Sequence, residues 1–102
     1  MHFVYIIYSP STDRFYTGET VEPEGRLLQH NSRHYAGAST RFAKDWEIRR
    51  VFEVMSKIEA LKIEAYLKSM KSKRYLHQLC TDKAIEDEFK IRVKQKFGIK
   101  MS

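Results

Sequence analysis

A single cysteine, Cys80, excludes a disulfide within the chain and points to a reducing, cytoplasmic setting. With two prolines and four glycines in 102 residues, the chain is neither collagen-like nor dominated by linkers. No apolar run approaches the roughly 20 residues of a membrane span, so no membrane association is expected. The opening MHFVYIIYSPST is apolar but short, and Pro10 breaks it. It lacks a basic leader and a small-residue cleavage site, so it reads as a strand and not as a secretory signal. The first 55 residues lack net charge, with seven basic and seven acidic side chains. Residues 56–102 hold twelve basic and six acidic ones, the whole of the +6 excess. A one-sided basic surface is the footprint of a phosphate-backbone binder, although a solvated helical face has the same composition.

What is present reads as one domain over 1–102, with a core at about 3–72 and a basic C-terminal helix at about 82–97. FVYIIY (3–8) is a β-branched and aromatic strand, SPSTD (9–13) carries turn chemistry, and RFYTGE (14–19) returns as a second strand. EPEGRLLQHN (22–31) fits a short helix with Pro23 in its first turn and Asn31 at its end. SRHYAGASTRFAKD (32–45) has no periodicity and reads as a surface loop. WEIRRVFEV (46–54) alternates as a third strand, with Arg50 out of pattern. Ser56 and Glu59 form a capping box that opens a helix to about Lys71, and KSKRY then reads as a basic break. Asp82 can cap a last helix whose Ile85, Phe89, Val93 and Phe97 make an apolar stripe. The order β-β-α-β-α-α predicts an α/β protein of the α+β type: a small three-stranded antiparallel sheet flanked by helices.

Some residues stand out chemically. Around the helix after the third strand, Ala60, Leu61, Ile63, Leu67 and Met70 form the apolar side, and Glu64 falls within that arc. A carboxylate there must find a partner, face a cleft or bind a cation; equally, it can sit at the helix margin and pair with Lys68. Arg26 and His30, four apart, share a helix face and combine a phosphate-binding group with one that moves protons near neutral pH. His30 and His34 have the same spacing, but Asn31 and Ser32 break the helix between them, so zinc is not expected. Cys80 reads as a core thiol, and His2 and His77 have no evident partner. Tyr5 and Tyr16 occupy the two arms of the first hairpin. They can be ordinary core aromatics, or can serve one site if they face the same side. Direct pairing of the two would place Tyr8 opposite Asp13, with SPST as the loop.

VYI at 4–6 and YTG at 16–18 resemble the two halves of the GIY-YIG nuclease signature. The likeness extends through Arg26 in GRLLQHN, His30 one turn on, and Glu64 in EALKIEAYLKSMK, covering residues 3 to about 72. It is nearest to the small single-domain bacterial members, which also look like the N-terminal nuclease domain of the UvrC repair protein. Phe3 stands where the signature has its first glycine, Glu19 follows Gly18, and Leu76 stands where some members have asparagine. The resemblance implies the GIY-YIG fold and a metal-dependent endonuclease. Its substrate is expected to be DNA rather than RNA, its setting repair or recombination, with a protein partner to supply specificity. It implies that Glu64 holds one Mg²⁺ or Mn²⁺ and that Arg26 binds the scissile phosphate. Tyr5 or Tyr16 would position or deprotonate the attacking water, with positive charge from the metal, Arg26 and His30. Gly18 would allow close approach at the site, and Lys68, Lys71, Lys73 and Arg74 would grip the flanking backbone. A module that binds nucleic acid with little catalysis is the alternative.

Overall fold

β1 (His2–Ser9) is the middle strand of the sheet, and its Val4, Tyr5, Ile6 and Ile7 are all buried. The computed structural model describes residues 1–32 and 43–102. The expected loop at 32–45 and the expectation for His34 therefore fall largely outside the described residues. β2 (Arg14–Thr20) and β3 (Glu47–Val54) flank β1, both antiparallel to it. α1 (Pro23–Ser32) lies between β2 and β3 in sequence; α2 (Lys57–Met70), α3 (Lys73–Thr81) and α4 (Lys83–Phe97) follow. The fold class is the expected one, with one helix more: Ser72 accepts from the Tyr75 N–H at 3.1 Å and caps α3. The break after α2 is thus confined to Lys71, at a left-handed φ of 48°, and Ser72. Ser56 and Glu59 cap α2, and Asp82 caps α4 through the Ala84 N–H.

The two faces of the sheet have separate partners. Val4, Ile6, Phe52 and Val54 meet Ala60, Ile63 and Leu67 of α2, Leu79 of α3, and Phe89 and Val93 of α4 in the main core. Each of these side chains larger than alanine, fully buried, contributes about 1.5–3 kcal/mol. On the other face Tyr5 and Ile7 pack with Ala43 and Trp46, and with Leu27 of α1. Ala43 is buried there, so this end of the expected surface loop belongs to a core. Leu61, expected in the apolar arc of α2, is instead exposed at 42%.

The hairpin register differs from direct pairing of the tyrosines. Tyr5 lies opposite Gly18, and Tyr16 opposite Ile7. The loop is 10–13 rather than 9–12, with Asp13 at a left-handed φ of 54° and its N–H bonded to Ser9 O at 2.8 Å. Moving a loop by one position shifts the register by two, so both tyrosines still face the same side. The departure at Arg50 has its cause in the pairing with β1. Register slips between Ile6 and Ile7, leaving Arg49 as an extra residue on β3. Arg50 then reaches across the main core's edge to Leu79 O at 3.1 Å and to the buried Glu86 at 3.8 Å.

Candidate active site

On the α1 face, Tyr5 is 1% exposed, and its hydroxyl lies 2.9 Å from Nε2 of the fully buried His30. Tyr16 completes an aromatic triangle, with ring centroids 6.3 Å from Tyr5 and 5.1 Å from His30. Gly18 makes this possible. A Cβ there would collide with the Tyr5 hydroxyl, and would come within 2.6 Å of Cζ and 2.9 Å of Cε1. The glycine of YTG is therefore needed for the volume of the facing phenol.

α1 places Arg26 one turn before His30, close enough for its charge to act on the ring. Burial first, and the Arg26 guanidinium second, lower the His30 pKa to about 4. The imidazole is neutral near pH 7, so the positive charge expected from it is absent. Arg26 also lines a shallow depression with Thr20, Glu22, Gly25 and Gln29. Asn31, read as a helix terminator, sits within the last turn of α1 and binds Trp46.

Glu64 stands on α2, in the layer on the opposite face of the sheet. Its side chain is 18% exposed at the margin of α2 and pairs with Lys68 at 3.5 Å. Lys68 in turn stands 5.5 Å from the Tyr16 ring centroid. The lysine thus wraps the β2 edge and links the glutamate of one layer to the tyrosine of the other. Among the described residues no three His, Cys, Asp or Glu side chains converge. A lone carboxylate suits a hard cation such as Mg²⁺ or Mn²⁺, which keeps several waters and takes substrate oxygens. It does not suit a tetrahedral zinc cage. A cation on Glu64 would have to displace or share with Lys68.

The other basic residues are dispersed. Lys71 is the exposed C-cap of α2, and Arg74 is exposed on α3. Lys73 is bound to Asp13 at 2.5 Å, on the β1–β2 turn. His77 also faces Asp13, at 3.5 Å, and the Tyr8 hydroxyl donates to it at 2.5 Å. His77 therefore has a partner, as does His2, which pairs with Glu19. Glu19, opposite Val4, points to the main-core face, away from Tyr5 and Tyr16. Cys80 packs on the main core, and burial raises its pKa to about 11. The Asn31–Trp46 and Asp13–Lys73 pairs escaped sequence reading because the partners are distant in sequence.

Among curated proteins and among solved structures nothing matches the chain. The family model of the GIY-YIG catalytic domain matches residues 1–76, which hold Tyr5, Tyr16, Gly18, Arg26, His30 and Glu64. On that match, over most of its length, the chain belongs to the GIY-YIG family of nucleases.

Proposed function

We propose that the chain is a divalent-metal-dependent endonuclease hydrolysing phosphodiester bonds, with DNA as substrate and repair or recombination as its setting. The observation that carries this reading is the grouping of Tyr5, Tyr16 and His30 on one sheet face, joined through Lys68 to Glu64. Tyr16 is only partly buried, whereas Tyr5 is enclosed and bonded to His30. Tyr16 is thus the tyrosine that meets the attacking water, and Tyr5 sets the position of the triangle. Arg26 holds the scissile phosphate and offsets charge in the transition state. The Lys68 ammonium stands over the Tyr16 ring and ties it to Glu64. Glu64 would hold Mg²⁺ or Mn²⁺, which when bound supplies charge to the phosphate and the leaving oxygen. Lys71 and Arg74, with Lys68, extend a basic margin for the flanking strand, and a protein partner supplies sequence or structural preference.

The Glu64–Lys68 pair favours a second reading, because the carboxylate is already compensated without a cation. The protein would then bind nucleic acid and cleave weakly. The test is incubation with DNA and RNA of varied structure, with and without Mg²⁺ or Mn²⁺, beside Glu64→Gln. Cleavage that requires metal and Glu64 is expected. Salt-dependent binding without cleavage under any metal would replace the nuclease with the binding module.

A further inference from the structure

Asn31 is spent on a backbone. Its Nδ2–H donates to the Trp46 carbonyl at 3.0 Å, and the Trp46 N–H donates to its Oδ1 at 2.7 Å. One side-chain amide thus pairs with both polar groups of one residue, as a neighbouring strand would. The two partners belong to different elements: Asn31 to the last turn of α1, and Trp46 to the approach to β3. Trp46 is buried in the same apolar cluster as Tyr5, and Tyr5 bonds His30, the residue before Asn31. The contacts close a ring: Tyr5 to His30, along the chain to Asn31, across to Trp46, and through packing back to Tyr5.

α1 needs such a fastening. It is ten residues long, marginal for a helix on its own, and buries only His30 completely. Among the described residues Leu27 is the apolar side chain of α1 packed on this face, and the bidentate amide pair adds a fix on its rotation and height. We infer that Asn31 is a positioning residue for the site, holding the last turn of α1 so that His30 meets Tyr5 and Arg26 meets the substrate phosphate. The inference deepens the nuclease reading and rests on it for the substrate. The fastening of His30 to Tyr5 can be measured without any substrate.

The experiment compares wild type with Asn31→Ala and the milder Asn31→Ser. Folding is followed by circular dichroism and melting, His30 ionisation by NMR titration, and cleavage by kcat and KM. In the wild type His30 titrates far below an ordinary histidine, held there by burial and then by Arg26. With the fastening cut, His30 is expected to shift back toward ordinary values in a protein that still folds. kcat should fall about tenfold or more, since a displacement near 1 Å in a reacting group can cost that much. KM should move less than kcat, because Arg26 lies a turn before the fastened end of α1 and its main task is in the transition state. A lower melting temperature with unmoved His30 titration and unmoved kcat in both variants would make Asn31 a structural residue only, and overturn the inference. If wild type does not cleave, the nuclease reading fails, and the titration still decides whether Asn31 fastens His30 to Tyr5.

Discussion

The Tyr5 hydroxyl and His30 Nε2 are 2.9 Å apart in a pocket closed to solvent. A neutral imidazole offers one acceptor and one donor nitrogen, so the phenol can donate to the ring. Tyr5→Phe removes that bond and leaves a buried nitrogen without this partner. The expected loss is about 1–3 kcal/mol of stability, read from urea denaturation. Tyr16→Phe, at a half-buried position, should change stability by less than about 0.5 kcal/mol yet abolish cleavage. Equal stability losses in both variants would contradict the division of labour between the two tyrosines.

Gly18→Ala tests the space beneath Tyr5. The added methyl collides with the phenol, which is pinned at its far end by His30. Overpacking of this kind costs about 1–3 kcal/mol and should displace Tyr5. Melting and cleavage should both fall. A variant as stable and active as wild type would show that the Tyr5 ring has room to move.

Glu64→Gln removes a charge with little change in size. Among the described residues the ion pair lost is with Lys68, which is 52% exposed, so stability should change by no more than about 1 kcal/mol. Metal-dependent cleavage should disappear. Undiminished cleavage would remove Glu64 from the mechanism.

Acid should weaken the fold in two stages. The His30 pKa is lowered from 6.5 to about 4 on folding, so between those values the unfolded chain binds more protons. Stability therefore falls as pH drops through that window. Asp13, lowered from 3.8 to about 2 first by its bond to Lys73 and then by that to Tyr8, adds a second loss as pH falls through about 2. Urea midpoints measured at a series of pH values should trace both. His30→Gln cannot titrate and should flatten the upper stage; an unchanged slope there would exclude His30 as its source.

Where interactions are local, the sequence was readable. The strands, the caps at Ser56 and Asp82, and the α4 stripe follow from periodicity and side-chain bonds within four residues. Tyr5 and Tyr16 share a face because a two-residue period survives any even shift of register. α3 was hidden because its basic first turn resembles a linker and its cap, Ser72, lies two residues beyond the α2 terminus. The bulge at Arg49, the Asn31–Trp46 pair and the reach of Lys68 around β2 depend on residues distant in sequence. No local pattern encodes them.

After α4, Gly98 turns the chain at a left-handed φ of 69°, and Ser102 exchanges two backbone bonds with Glu53 on the edge of β3. Ile99 and Met101 are buried in the main core beside Phe89 and Val93. The family match stops at residue 76, but the packing that holds β1 and β3 runs on to residue 102. The boundary of resemblance and the boundary of cooperative folding are thus different places in this chain. Anyone transplanting the catalytic surface into a fusion protein would have to carry α4 and its returning tail with it, as part of the packing that holds the sheet.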